Sequence, residues 1–200
     1  MRKFSLFLIL CFSLFCVLFF VASAQSRSIK DSVLRFHVVA NSDAVADQRV
    51  KLLIRDQVLA YAKTIFKNTN NRNDAIMIAK NQKTSIENIA NKVLKENGFS
   101  YNATCEIQET RFPTKKYGAI CLPAGTYLAM NIRLGKAAGE NWWCVLYPPL
   151  CFTNADHVMQ ENEATLKHVL SEKDYTLVTE GQNGALPIRF RFKIMELFSK

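Results

Sequence analysis

The chain has 200 residues, 49% of them hydrophobic and 22% charged; this is the composition of a globular protein and excludes an intrinsically disordered chain. Lys and Arg number 26 against 17 Asp and Glu, and the net charge of +9 is spread along the sequence. The even spread argues against nucleic-acid binding and leaves two alternatives, a solvated basic surface or attraction to anionic lipid head groups or wall polymers.

Residues 1–24 predict a secretory leader. Arg2 and Lys3 precede an apolar run, and a small-residue pattern follows it, so cleavage is predicted between Ala24 and Gln25. The apolar run is long for a leader and just short of an ordinary membrane span, which leaves an uncleaved N-terminal anchor as the alternative. In both cases residues 25–200 are predicted to form one domain that works outside the cytoplasm.

The first strand is predicted over residues 33–40, where apolar and polar side chains alternate. One face carries Leu34, Phe36 and Val38. The more polar face carries His37, which is expected to be a surface or hydrogen-bonded residue and not a ligand. Three good N-cap residues follow at 41–43, and a strand that runs into a capped helix also makes a weak candidate anion site.

Two long helices are predicted next, over residues 45–66 and 74–97, with Gly98 ending the second. They are expected to form an antiparallel hairpin against one side of a sheet. The predicted apolar stripe of the first helix consists of Val50, Leu53, Ile54, Val58, Ala62, Ile65 and Phe66.

From residue 101 the pattern is that of β-strands, with alternation over residues 103–108. The sequence Leu-Pro-Ala-Gly at 122–125 is typical of a type I turn and predicts a hairpin between residues 117–122 and 126–134. The C-terminal part predicts a helix over 156–171 and a short helical turn over 172–178. Residues 187–193 alternate strictly, which predicts an edge strand with a cationic outer face.

Residues 139–152, with the sequence GENWWCVLYPPLCF, are the most distinctive stretch. In an extended chain Trp142 and Trp143 point to opposite faces. One interpretation is a core strand followed by a rigid turn; the other is an exposed aromatic and proline-rich surface that docks a partner. Cys144 and Cys151 can bridge only if the chain doubles back at the prolines, and with Cys105 and Cys121 they leave three disulfide pairings open.

The sequence offers little for catalysis or metal binding. His37, His157 and His168 form no zinc-binding pattern, and no nucleophile elbow is present. No cofactor is therefore predicted. The predicted fold is α+β: a mixed, mostly antiparallel sheet of about five strands, with a helical hairpin and a C-terminal helix packed on it.

Five segments together resemble the stage II sporulation protein R family of endospore-forming bacteria: LRFHVVANSD, DQRVKLLIRDQVL, FPTKKYG, LPAGTY and NWWCVLYPPLCF. The resemblance covers roughly residues 29–198, and the last segment is the most specific. In that family Cys144 and Cys151 correspond to characteristic positions, which favours a bridge between them.

The resemblance implies signalling and no catalysis. Family members are secreted from the forespore into the space between the forespore and mother-cell membranes. There they trigger a membrane-embedded aspartic protease, which removes the pro-sequence of the early mother-cell sigma factor. The implied partner is thus that protease, with no nucleic acid and no small-molecule substrate. From the residues alone, an exported cell-wall-associated hydrolase is the alternative.

The resemblance does not say which residues contact the protease, so the contact surface is predicted from side-chain types. Rigid aromatic and proline residues suit interface anchors. The candidates are Trp142, Trp143, Tyr147, Pro148, Pro149 and Phe152, with Phe112, Pro113 and Tyr117 beside them.

Overall fold

The computed structural model describes residues 4, 7, 9–17, 29–117, 120–151 and 169–180. Several predictions lie outside these residues: cleavage between Ala24 and Gln25, most of the helix over 156–171, the strand over 187–193, and the positions of Phe152, His157 and His168. Among the described residues, no helix has both the length and the apolarity to cross a membrane.

Four strands form a mixed sheet in the order β2-β5-β1-β6. β1 lies parallel to β5 and antiparallel to β6, and β2 lies antiparallel to β5. β3 and β4 pair as a separate two-stranded sheet. The bounds are β1 Leu34–Val39, β2 Ala103–Phe112, β3 Lys115–Tyr117, β4 Ile120–Leu122, β5 Gly125–Leu134 and β6 Asn141–Tyr147. With the helices, they confirm the predicted α+β class.

The predicted second helix is two helices. The described helices are α1 Val45–Ile65, α2 Arg72–Asn81, α3 Lys83–Glu96 and α4 Glu172–Glu180. Gln82 ends α2 and begins α3, and its side chain accepts a hydrogen bond of 2.7 Å from the Tyr61 hydroxyl of α1. The break lets both short helices place small or apolar residues, such as Ala79 and Ile86, against the core. Gly98 follows α3 with φ of +78°, the left-handed conformation predicted for it.

Both faces of the sheet are covered. On one face α1, α2 and α3 pack against Phe36 of β1 and Ile132 of β5 in one hydrophobic cluster, which confirms the helical hairpin against one side. On the other face α4 and the β3–β4 hairpin cover Ala129 and Val145 in a second cluster. All six residues of β1 are therefore buried, including those on the face predicted to be more polar.

The hairpin predicted between residues 117–122 and 126–134 is wrong. β4 pairs with β3, while β5 pairs with β2 along ten residue pairs from Ala103↔Leu134 to Phe112↔Gly125. Residues 113–124 are thus an excursion from the tip of one long hairpin. The β2–β5 ladder satisfies more backbone N–H and C=O groups than the predicted pairing would. The pattern around the turn did not predict it, because β2 lies outside residues 117–134.

A polar cluster joins the start of α1 to the loop between β5 and β6. Asp47 is buried, and its carboxylate accepts hydrogen bonds from Tyr101 Oη at 2.6 Å, Ser42 Oγ at 2.5 Å and Asn41 Nδ2 at 2.8 Å. Burial alone would raise the pKa of Asp47, but these hydrogen bonds outweigh it and hold the pKa below its ordinary value. The polar side chains between β1 and α1, where an anion site was predicted, thus bind a carboxylate of the chain itself.

The two remaining predictions about α1 are corrected by this packing. The N-cap is Ala44, which makes no side-chain capping bond, because the polar side chains before it bind Asp47 and the β5–β6 loop instead. Leu53 is 42% exposed, although it was placed in the apolar stripe. The buried Lys51 takes a position next to the sheet, where its ammonium group donates to the Glu140 carbonyl at 3.0 Å.

Asp47→Asn is expected to lower the free energy of unfolding at pH 7 by about 1–3 kcal/mol, because an amide cannot accept all the hydrogen bonds that the carboxylate accepts. The folded-state pKa is depressed, so the carboxylate stabilises the fold above the unfolded pKa of about 3.9. This stabilisation disappears as the pH falls through the lower folded-state pKa. Urea unfolding at pH 7 and in acid measures both effects.

The matched control for this prediction is Asp56→Asn, which changes an exposed carboxylate of the same helix. It is expected to change the free energy of unfolding by less than about 0.5 kcal/mol. Equal losses in the two variants at pH 7 would contradict a special role for the Asp47 cluster.

Candidate functional site: the edge strand β6

The two adjacent tryptophans of β6, here called the indole pair, lie on opposite faces of the sheet, as predicted. Trp142 is half-buried beside α1: its ring is 5.6 Å from that of Phe36, and the Arg55 guanidinium lies 5.2 Å from its centroid. Trp143 is half-buried on the other face, stacked on His37 at 3.9 Å. Because β6 lies at the edge of the sheet among the described residues, one partner approaching this edge meets both indoles.

His37, which stacks on Trp143, is held in place by hydrogen bonds with two asparagine side chains. Asn131 donates its amide hydrogen to the Ala129 carbonyl at 3.1 Å, which turns its oxygen to His37 Nδ1 at 2.9 Å. Nδ1 therefore carries a proton. His37 Nε2 lies 2.7 Å from Asn141 Oδ1. The predicted hydrogen-bonded role of His37 is confirmed, and burial lowers its pKa.

The exposed amide of Asn141 lets this network accept either charge state of the imidazole. Its oxygen faces Nε2 and suits a protonated ring. A half-turn of the same side chain would present the amide nitrogen to a neutral ring. His37 can therefore stack on Trp143 whether its imidazole is neutral or protonated.

Arg35 lies at the centre of the same face and is the residue that sequence reasoning missed. Its side chain is wholly buried, with the guanidinium 4.2 Å from the Phe112 ring centroid, 5.0 Å from that of Tyr127 and 5.6 Å from that of Tyr117. Nε donates to the Cys144 carbonyl at 2.9 Å and Nη2 to the Tyr117 hydroxyl at 2.8 Å. We call these three rings with Arg35 the arginine cluster.

The positive charge of Arg35 is stabilised by the faces of the three aromatic rings and by the dipoles of the Cys144 carbonyl and the Tyr117 hydroxyl. Within the described part of the chain, no carboxylate pairs with it and Nη1 has no hydrogen-bond partner. Burial lowers its pKa, although an arginine stays protonated. The signal in the sequence was its place between Leu34 and Phe36 in a strand with apolar residues on both faces, which is typical of a central strand.

The structure joins Cys144 and Cys151 in a disulfide with a Cα–Cα distance of 5.9 Å, which is the pairing that the resemblance favoured. The chain doubles back through Pro148 and Pro149, and the backbone N–H of Val145 on β6 donates to Cys151 Sγ at 3.1 Å. Cys105 and Cys121 are free, and burial raises the pKa of the Cys105 thiol to about 12. The bridge ties the segment after β6 back onto the strand.

The predicted contact residues after Trp143 differ in exposure. Tyr147 is buried and donates its hydroxyl proton to the Asn70 carbonyl at 3.0 Å, Pro148 is buried, and Pro149 is half-buried. Tyr147 and Pro149 also line an open cleft of about 980 Å³, together with Phe66, Lys67 and Arg72. Among the described residues after Trp143, Pro149 and the cleft therefore offer surface to a partner.

The predicted contact residues before β4, Phe112, Pro113 and Tyr117, also differ in exposure. Phe112 is buried in the arginine cluster, and its ring lies 4.6 Å from that of Trp143. Pro113 is exposed at the tip of the long hairpin, and Tyr117 is half-buried. Phe112 thus packs against Trp143 from the interior, while Pro113 and Tyr117 retain exposed surface.

No group of three or more His, Cys, Asp or Glu side chains within the described ranges is arranged to hold a metal ion. The described polar groups near β6 make hydrogen bonds that position aromatic rings. The arrangement therefore provides an apolar surface whose aromatic rings are held in place, with cationic side chains beside them.

Comparison with known proteins identifies the family. The family model for stage II sporulation protein R matches residues 30–157, which include all six strands and the indole pair. The chain belongs to the stage II sporulation protein R family. A curated member, stage II sporulation protein R of Bacillus subtilis (strain 168), is 34% identical over 152 residues, which are 74% of this chain and 68% of that protein. No solved structure matches this chain.

Membership makes this a sporulation protein. The described strands and helices α1–α3 lie inside the matched range, whereas α4 lies beyond it. The candidate surface on β6 is therefore part of the segment that carries the family match.

Proposed function

We propose that this protein is an exported signalling protein of sporulation that activates a membrane-embedded aspartic protease. The activated protease would then remove the pro-sequence of the early mother-cell sigma factor. Family membership supports the sporulation role, and the leader-like N-terminal sequence supports export from the cytoplasm.

The observation that supports this contact surface is that neighbouring side chains hold both rings of the indole pair in place. Trp143 is held by His37 and Phe112, and Trp142 by Phe36 and Arg55. A side chain fixed before binding loses little conformational entropy on binding, and this favours tryptophan as an interface anchor. The indole pair, with Pro149 and the neighbouring cleft, is our proposed contact surface for the protease.

The test is co-expression of this chain with the protease and its pro-protein substrate, with the processed fraction as readout. Trp142→Ala and Trp143→Ala are each expected to weaken the contact by about 2 kcal/mol, which is roughly thirtyfold in affinity. Dose–response curves should therefore shift to higher concentrations of the variant. Trp143→Phe, which keeps an aromatic ring on His37, is expected to fall between wild type and Trp143→Ala.

The matched control is the double variant Val45→Ala/Met77→Ala, which removes two exposed apolar side chains from α1 and α2. It is expected to leave the dose–response curve unchanged. Thermal unfolding of every variant shows whether lost activity reflects lost folding. A folded Trp142→Ala/Trp143→Ala variant with the wild-type curve would refute the surface, and failure of wild type to raise processing would refute the function itself.

A further inference from the structure

The two outer strands of the described four-stranded sheet, β2 and β6, are protected to different degrees. On β2, Asn91 and Glu87 of α3 accept hydrogen bonds from the outward-facing N–H groups of Ala103 and Cys105, both at 2.8 Å. Farther along β2 lie three exposed charged side chains: Glu106, Glu109 and Arg111. Side-chain caps and charges of this kind keep an edge strand from pairing with another chain.

β6 has much less protection. Its seven residues, NWWCVLY, include no charged side chain. The Glu140 carbonyl just before β6 accepts from the Ala40 N–H at 3.4 Å and thus faces β1. The Val145 N–H faces the other way and donates to Cys151 Sγ at 3.1 Å. Because inward and outward peptide groups alternate along an antiparallel strand, the odd-numbered residues of β6 turn their N–H and C=O groups to the outer edge.

Cys151 covers this outer edge at Val145. By the same alternation the peptide groups of Asn141 and Trp143 face outward, and within the described ranges no strand or side chain pairs with them. Their two N–H and two C=O groups form a template for one short added strand.

The open backbone has an apolar surface beside it on the face of the sheet that packs against α1–α3, here called the helical face. Trp142 is half-buried there under the Arg55 guanidinium of α1. Leu52 and Leu59, three residues before and four residues after Arg55, lie on the same side of α1. Leu52 is 40% exposed. An apolar side chain of an added strand would therefore be buried between Trp142 and α1.

The opposite face offers an aromatic ring. Trp143 lies directly opposite His37 in the β1–β6 ladder, and the two rings stack at 3.9 Å. Since His37 takes the side of the Trp143 ring that faces β1, the other side of the ring is directed to the outer edge. The side chain opposite Trp143 on an added strand would contact that side.

We propose that an extended segment of the protease, with apolar side chains at alternating positions, adds to β6 as a strand beside residues 141–143. This inference rests on the proposed function and gives the backbone contacts by which the indole pair would be recognised. A second copy of the chain suits this edge less well. Each chain carries a net charge of +9, which opposes the pairing of two copies and favours a segment that also carries carboxylates.

Amide hydrogen exchange on the full chain, free and bound to the protease in nanodiscs, tests this proposal. The Trp143 amide is expected to exchange fast in the free monomer and roughly tenfold or more slowly in the complex, because its N–H pairs with the added strand. The Glu109 amide, which alternation places on the outer edge of β2, is the control. It is expected to exchange at the same rate in both states.

A pair of variants isolates one backbone donor. Asn141→Pro removes an outward N–H group, and proline is tolerated on an edge strand where the missing N–H faces outward. Asn141→Ala loses the same side chain but keeps the N–H. Asn141→Pro is expected to bind the protease about fivefold or more weakly than Asn141→Ala does. Glu109→Pro and Glu109→Ala, the matched pair on β2, should bind equally tightly.

Failure of wild type to bind the protease or to raise processing would refute the proposed function and this inference with it. If wild type binds and raises processing, equal Trp143 exchange in the free and bound states, with equal binding by the two Asn141 variants, would refute the added strand alone. Slow Trp143 exchange in the free monomer would overturn it too, since the chain itself would then cover the edge. Protection that rises with protein concentration, with dimers in sedimentation analysis, would assign the edge to a second copy instead.

Discussion

Arg35→Ala is expected to lower the free energy of unfolding by about 3 kcal/mol or more, the range observed when a large buried side chain is truncated. The side chain is wholly buried and fills the space between the Phe112 and Tyr127 rings. Its removal leaves a cavity under the β3–β4 hairpin and deprives the Cys144 carbonyl and Tyr117 hydroxyl of a donor. Urea unfolding followed by tryptophan fluorescence measures the loss.

Arg35→Met separates the volume of the side chain from its charge. Methionine fills most of the same space, and it removes a buried cation whose Nη1 has no partner among the described residues. Replacing a buried charge by an apolar residue of similar size is often close to neutral, so the expected loss is below about 1.5 kcal/mol. Arg133→Ala, at an exposed position on β5, is the control and should change stability by less than about 0.5 kcal/mol.

The two Arg35 variants distinguish between two explanations. If Met is as destabilising as Ala, the hydrogen bonds to Cys144 and Tyr117 stabilise the fold and the packing of the rings does not. If neither variant loses stability, the arginine cluster does not hold the β3–β4 hairpin on the sheet.

Loss of the Cys144–Cys151 disulfide is expected to lower the free energy of unfolding by about 2–3 kcal/mol, because the bridge restricts the unfolded chain over a short loop. The bridge joins residues only seven positions apart and ties the segment with Pro148 and Pro149 to β6. The variant Cys144→Ala/Cys151→Ala, compared with wild type with and without reductant, measures this effect in urea.

Reductant should lower the stability of wild type to about that of the double variant and leave the double variant unchanged. Cys121→Ala removes a half-buried free thiol and is the control; its response to reductant should equal that of wild type. A double variant as stable as wild type would show that the segment after β6 is held by packing alone. Activity of the same variants in the processing assay would show whether Pro149 needs the bridge to meet a partner.

Much of the secondary structure could be predicted from the sequence, because its signals are local. Alternation placed Leu34, Phe36 and Val38 on one face of β1, and Gly98 marked the end of α3. Alternation also placed the two indoles on opposite faces of β6. These features depend on backbone geometry within a few residues, so neighbours in sequence suffice to predict them.

The candidate site was only partly predictable. Side-chain types were enough to select the indole pair and the proline segment. The exposure of each side chain, however, depends on which residues distant in sequence pack against it. Tyr147 and Phe112 were predicted as surface anchors but are buried, because Asn70 and Arg35, which are distant in sequence, contact them.

The sequence by itself determined α1, the helical segment that holds α2 and α3, most of the described strands and the membership of a sporulation family, since periodicity and motifs are properties of neighbouring residues. Only the tertiary structure decided that β2 pairs with β5, that Arg35 lies wholly buried among three rings, and that Cys144 bonds Cys151 and not another thiol. The first two depend on contacts between residues distant in sequence, and the third on which of four thiols pair. All three are decided by the burial and hydrogen bonding of the whole chain.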